Sequence, residues 1–219
     1  MSVIIPKNMN KWKVIGEYLK NNPFIKSRYN RKKFFEDYKQ KFGDIKSQKT
    51  VDTINAILDR ASKEKTPDSH LAYMFATAYH ESKDAKNPHD FYPLTERGSY
   101  KYITDQYWHN IRVRGWLGNK SIKDAWDFRG RGLVQLTGRT NYERFNIADN
   151  PEKALEPEKA VEIMFEGMKK GMFTGKDLDD YLNGNKDYYN ARRIINGVDK
   201  ASLIKGYAER FEKIIKNAR

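Results

Sequence analysis

The sequence has no cysteine at all, which rules out a disulfide framework and a thiolate metal site. No apolar run approaches the roughly 20 residues needed to span a bilayer. The first residues, MSVIIPKNMNKWK, hold only a short apolar stretch before Pro6. They lack the longer apolar centre of a secretory signal. The expectation is a chain made in a cytoplasm and not exported by a signal of its own. Strand-like alternation is scarce, and no internal repeat or low-complexity linker is visible. A phosphate loop is missing too: five residues separate Gly132 from Gly138, and Arg139-Thr140 stands where the Walker pattern needs Lys and Ser or Thr. His80-Glu81 does not begin a zinc-protease HExxH, because position 84 is Asp. His70, His80, His89 and His109 show no ligand spacing, so neither a metal nor a cofactor is expected.

What is present reads as a folded chain. Its 219 residues suffice for one large domain. With 14 Tyr, 11 Phe and 4 Trp it is too aromatic to be disordered. The net charge is +13, and residues 1–50 alone carry +9, from 13 Lys/Arg against 4 Asp/Glu. Such asymmetry suits a polyanionic partner such as nucleic acid, anionic lipid or bacterial wall polymer; a solvated basic surface is the plainer alternative.

Apolar residues recur at helical spacing. Phe34, Phe35, Tyr38 and Phe42 predict a helix over 31–42, which Gly43 can end. Val51, Ile54, Ile57 and Leu58 predict a second over 48–62. Thr66-Pro67 reads as an N-cap with proline at the first helical position. It opens a helix over about 67–82 with Leu71, Met74, Phe75 and Ala78 on one face. Residues 83–132, punctuated by proline and glycine, read as loop-rich with a short helix or hairpin. Further helices are expected near 140–146, 157–170, 176–183, 187–195 and 200–217. The architecture expected is one all-α domain over 31–219, α-rich α+β at most, with residues 1–30 as a basic extension.

Functional residues concentrate where the third helix meets the loop-rich stretch. Glu81 follows Ala78 by three residues and Met74 by seven, so it shares their core-facing side. It also lies near the helix C-terminus. Partial burial and the helix dipole both disfavour its ionised form, which suits a general acid. A helix-end Glu that bends into water is the bland alternative. Glu96, in FYPLTERGS, adds a second carboxylate that a short loop can bring opposite Glu81. Two carboxylates across a cleft are the minimum for glycoside hydrolysis. Spacing alone does not choose Glu96, because Asp84, Asp90 and Asp105 lie nearby. The segment FRGRGLVQLTGRTNY (128–142) adds three glycines and the neutral donors and acceptors Gln135, Thr137 and Asn141, usual partners of sugar hydroxyls and acetamides.

AYHES at 78–82, PLTERG at 93–98, FRGRGLVQLTGRTNY at 128–142 and ARRIING at 191–197 together resemble the signature blocks of family 19 glycoside hydrolases. That family comprises chitinases and related phage endolysins. The likeness is closest to the phage-type members; it runs from about Phe34 to the C-terminus and takes in MFEGMKKGMFTGKDLDDYL at 164–182. It implies the α-rich lysozyme-like fold and an inverting mechanism, with carboxyl groups roughly 6.5–9.5 Å apart. It implies Glu81 as general acid, Glu96 as the base that activates water, and Thr137 as the hydroxyl that holds that water. Gln135, Asn141, Asn196 and Arg131 fall on its substrate-binding positions. The loop between the two glutamates differs from that of plant chitinases, and their cysteines are missing. Tyr92, Trp108, Trp116 and Trp126 offer aromatic faces for sugars, or are simply core.

The function expected is a phage endolysin that hydrolyses β-1,4 bonds of bacterial peptidoglycan. Such a lysin is made in the host cytoplasm, as a monomer with no nucleic-acid partner, and reaches the wall after release by another protein. Chitin oligomers are the alternative substrate. A non-catalytic wall- or nucleic-acid-binding module is the reading from a different class. In residues 1–30, Trp12, Ile15 and Leu19 share a helical face among basic residues. They serve either to lie on an anionic membrane or wall surface, or to pack on the catalytic domain.

Overall fold

The structure, a computed structural model, describes residues 27–219. The expected roles of Trp12, Ile15 and Leu19 therefore lie outside the described residues. The fold is all-α. Its only sheet among the described residues is a pairing of two short strands, β1 (Leu94–Thr95) and β2 (Arg131–Gly132), antiparallel with Leu94 opposite Gly132 and Thr95 opposite Arg131. No helix among the described residues is long and apolar enough to cross a membrane.

Helix α1 (Arg31–Phe42) starts where the Asn30 side chain accepts from the Lys33 amide, and it ends at Gly43, whose amide returns to the Lys39 carbonyl. Helix α2 (Gln48–Glu64) is capped by Ser47 and closed by Lys65 in the left-handed region. Helix α3 (Asp68–Glu81) is buried on all sides from Ser69 to Tyr79. Pro67 precedes its first helical residue, and no side chain caps it. The expected Thr66 cap is not made; the Thr66 hydroxyl is buried without a partner.

The core forms where α3 packs along the C-terminal helix, α10 (Ala201–Asn217). Phe211 of α10 stacks on Phe42 at 4.4 Å and on Phe75 at 5.1 Å, and Tyr38, Tyr79 and Phe91 complete the aromatic cluster. Emptying the Phe211 position costs about 3–5 kcal/mol by the usual scale for a buried phenyl ring. The rigid packing matters to function because it fixes the end of α3, and with it Glu81.

The domain begins earlier than the expected boundary at residue 31. Tyr29 is only 3% exposed, and the Asn30 amide donates to the Ala218 carbonyl at 2.6 Å. Chain from at least Ser27 therefore belongs to the folded unit, because a sequence pattern that starts with the first helix overlooks the strap that closes onto the last one.

The loop-rich stretch holds three short helices: α4 (Tyr100–Thr104), α5 (Ile111–Leu117) and α6 (Ile122–Asp127). Between α4 and α5 the chain makes a π-helical turn, Asp105–His109. After β2 come α7 (Arg139–Arg144), a 3-10 turn at Pro151–Leu155, α8 (Pro157–Lys169), α9 (Asp179–Leu182), a 3-10 turn at Asn190–Ile194, and α10. Where helices were expected over 176–183 and 187–195, one short turn of α-helix and a 3-10 turn are found.

Candidate functional site

A cleft of about 400 Å³ opens between the end of α3, the α4–α5 region, the segment after β2, and the chain before α10. Glu81, Gln135, Thr137, Asn141 and Asn196 all line it, although they come from three separate sequence blocks. Tyr107, Val113, Trp116, Thr140, Arg144 and Phe173 also contribute to its walls.

Glu81 is the last residue of α3. The Nη1 atom of Arg192 donates to its Oε1 at 2.6 Å. Arg192 is 4% exposed, sits in the 3-10 turn Asn190–Ile194, and also donates to the Asp199 carbonyl. A carboxylate at a helix C-terminus meets an unfavourable dipole, so the guanidinium compensates a charge that α3 alone would oppose. Arg192 lies within the ARRIING segment. Its part in the site was not legible there, since two adjacent arginines give no sign of which one is buried.

Glu96 extends the β1–β2 pairing by one residue: its amide donates to the Gly130 carbonyl at 2.7 Å. Its carboxylate accepts from the Gly130 amide at 3.0 Å and from the Tyr107 hydroxyl at 2.9 and 3.0 Å. Tyr107 stands in the π-helical turn, a local widening that recurs at functional positions, and it is the group that links Glu96 to the cleft. Burial, with the Glu96 charge alongside, pushes the Tyr107 phenol above its ordinary range, so it remains a donor. Asn119 ties this turn to the opposite wall. Its amide donates to the Tyr107 carbonyl at 3.1 Å and its oxygen accepts from the Arg139 amide at 3.2 Å, at the start of α7.

The neighbouring acids have other employment. Asp90 is buried and accepts from the Lys46 and Ser47 amides at the start of α2. Asp84 accepts from the Tyr92 hydroxyl and the Lys86 amide. Asp105 pairs with Lys101 on the surface.

Gln135 holds a non-glycine positive φ of 51°, local strain that serves the site: its amide nitrogen reaches the carbonyls of Leu94 and Gly132 and so pins β1 to β2. The Thr137 hydroxyl donates to the Gln135 carbonyl at 2.9 Å, which leaves its oxygen to accept a hydrogen from a third partner. Asn141 donates to the Thr137 carbonyl and accepts from Arg144. Asn196 is exposed at the rim, where its oxygen accepts from the Gly197 amide. Gly138, at φ 90°, lets the chain pass so close to Leu117 that a Cβ would lie 2.7 Å from it.

Five expected residues are not among those that line the cleft: Glu96, which Tyr107 joins to the wall, and Arg131, Tyr92, Trp126 and Trp108. Arg131 is 2% exposed and internally committed: it donates to the Asp127 carbonyl, the Tyr142 hydroxyl and the Glu152 carboxylate, so it braces the segment from behind. Tyr92 turns to Asp84, with the Lys49 ammonium 5.3 Å from its ring centre. Trp126 lies between Tyr100, at 5.3 Å, and Arg129, at 4.1 Å. Trp108 is covered by Arg114 at 4.5 Å. Of the four aromatics singled out for sugar faces, Trp116 alone lines the cleft, and it is 75% exposed.

No group of three or more His, Asp or Glu side chains suited to a metal ion occurs among the described residues. No protein-family model matches the chain, and no curated protein matches it either. The resemblance to family 19 rests on the motif blocks of the sequence alone.

Proposed function

We propose that the protein is an inverting glycoside hydrolase of family 19 type that cuts β-1,4 bonds of bacterial peptidoglycan, as an endolysin does. One observation carries the reading. Glu81, held by Arg192, lines one cleft with Gln135, Thr137, Asn141 and Asn196, and Tyr107 on the wall of that cleft holds Glu96 together with the Gly130 amide; Arg144 is the other charged side chain on the wall. Proton donor, base and sugar-binding amides are the equipment that glycoside hydrolysis needs, and no further cofactor chemistry is invoked.

In this reading Glu81, which rests as the ion-pair partner of Arg192, reacts in its protonated form, having taken a proton from solvent, and delivers that proton to the glycosidic oxygen as the bond from the anomeric carbon to that oxygen breaks. A water attacks the same carbon from the opposite face. Glu96 takes one of its protons, and Thr137 accepts a hydrogen bond from the other, since its own hydrogen is given to the Gln135 carbonyl. The product has inverted configuration at that carbon. Trp116 supplies an aromatic face for a sugar ring. The net charge of +13 suits an anionic wall better than neutral chitin.

The test is digestion of purified murein and of chitin oligomers by the full chain, with mass spectrometry of the products. A new reducing end on murein fragments supports the proposal and names the bond. Cleavage of chitin oligomers alone makes the protein a chitinase. Binding to murein without any new reducing end makes it a non-catalytic wall-binding module.

A further inference from the structure

A second groove, of about 590 Å³, adjoins the cleft and shares Trp116, Arg144 and Phe173 with it; Gly171, Met172, Thr174 and Gly175 form the rest of its wall. The charges along this joined surface are few. Glu81 is compensated by Arg192. The other charged side chain is Arg144, at the junction of the two grooves.

Arg144 forms no ion pair among the described residues. Its Nη1 donates to the Met172 carbonyl at 2.8 Å and to the Asn141 side-chain oxygen at 3.3 Å, both neutral acceptors. Those two bonds hold the guanidinium by one nitrogen. Among the described residues the edge formed by Nε and Nη2 is not engaged. Arg139, five residues earlier, uses that same edge to grip Asp124 side-on, with both contacts at 2.7 Å. This is the geometry in which a guanidinium takes a carboxylate with two parallel bonds.

Resting on the glycosidase reading above, we infer that Arg144 is a specificity residue that binds a carboxylate carried by the glycan, beside a sugar stacked on Trp116. Chitin has no such group. Murein strands offer it twice, as the lactyl carboxylate of alternate sugars where no peptide is attached and as the carboxylates of the stem peptide. An uncompensated cation on the wall of a sugar cleft discriminates between these polymers where neutral amides cannot.

The experiment compares the wild-type chain with Arg144→Gln and Arg144→Lys on four substrates: soluble peptide-bearing murein strands, the same strands with their carboxyl groups converted to methyl amides, peptide-stripped strands, and neutral chitin oligomers. In the wild type, kcat/KM for native strands exceeds that for amidated strands by about tenfold or more, on the scale of a charged hydrogen bond. Arg144→Gln abolishes that preference mainly through KM, Arg144→Lys keeps part of it, and salt erodes it in the wild type. Peptide-stripped strands keep only lactyl carboxylates, so preserved discrimination assigns the anion to the sugar and lost discrimination assigns it to the peptide. Equal losses on all substrates in Arg144→Gln, or a wild type indifferent to amidation, overturns the inference and leaves the glycosidase reading standing. A wild type inactive on every substrate overturns both.

Discussion

The buried Arg192 guanidinium lies 2.6 Å from the Glu81 carboxylate and is that residue's ion-pair partner at the end of α3. The pair separates two effects that a single substitution would confuse. Glu81→Gln removes the acidic proton but keeps an oxygen for Arg192. Its activity on murein falls at least about a hundredfold, with the unfolding midpoint close to wild type. Glu81→Ala also strands the guanidinium with only the Asp199 carbonyl, so it loses about 2 kcal/mol of stability as well as activity. Parallel urea titrations and reducing-end assays read both quantities. Near wild-type turnover by Glu81→Gln would rule out this residue as the acid.

In the proposed reaction Glu96, with its donor Tyr107, acts on the water, a role realised in the transition state. Glu96→Gln is severe, about a hundredfold or more in kcat. Tyr107→Phe removes a hydroxyl that contacts both carboxylate oxygens and keeps the ring, so kcat falls about tenfold while KM changes little. Thr137→Ala is milder than Glu96→Gln, and Thr137→Ser restores most of the rate. Steady-state kinetics on soluble strands give the split. A Tyr107→Phe variant whose defect lies wholly in KM assigns that hydroxyl to sugar binding instead.

Gly130 offers a test of the same carboxylate without touching a polar group. Its φ is not in the left-handed region, so alanine is sterically allowed by the backbone. A Cβ there would lie 2.9 Å from Gln135 Oε1 and 3.1 Å from Glu96 Oε2. Gly130→Ala therefore displaces the Glu96 carboxylate by a few tenths of an ångström and loosens its bond to the Gly130 amide. The expected result is a loss of about tenfold or more in kcat with the melting temperature lowered by only a few degrees, because a small misplacement of a catalytic group is costly. Unchanged kcat in a folded Gly130→Ala shows that Glu96 does not have to be held there.

The long helices were legible because their apolar spacing is strong: the bounds at 31 and 42 coincide with Asn30 and Gly43, which cap both ends of α1. The site was legible as far as residue types in motif blocks can show it, and Glu81, Gln135, Thr137, Asn141 and Asn196 do line one cleft. Tyr107 was not legible, because it gains its role from a π-helical turn that no periodicity announces. Arg131 misled for the opposite reason. A flanking pair of glycines reads as ligand approach, whereas here Gly132 passes close to the Ala154 carbonyl and the Arg131 guanidinium is buried against Glu152 and Tyr142. Glu96 could not be chosen from its acidic neighbours by spacing; the structure separates them, since Asp90 is buried and claimed by the start of α2 whereas Glu96 is held by Tyr107.

The cleft wall that carries Asn141 and Arg144 hangs on the pair Asp124–Arg139, and this pair makes the domain sensitive to acid. Hydrogen bonds from Arg139, then from the Lys120 amide and Ser121, hold the buried Asp124 carboxyl down to about 2, against burial, which raises it. The unfolded chain returns it to about 3.9. The folded value is the lower one, so the unfolded chain binds the proton first. The stabilisation is complete at neutral pH and is lost as pH falls from about 5 toward 2, and it amounts to about 2 kcal/mol. Asp37, Glu64, Asp84, Asp187 and Glu212 are also held low by hydrogen bonds and cations, so the wild type weakens in acid for several reasons together. Asp124→Asn isolates one contribution. The variant is less stable than wild type at pH 7, and the gap narrows by about 2 kcal/mol as pH drops to 2.5, where the wild-type carboxyl is being protonated. Urea unfolding at pH 7, 4 and 2.5 measures the gap. A gap that stays constant across that range means that the Asp124 charge contributes nothing and that only its shape holds α7 in place.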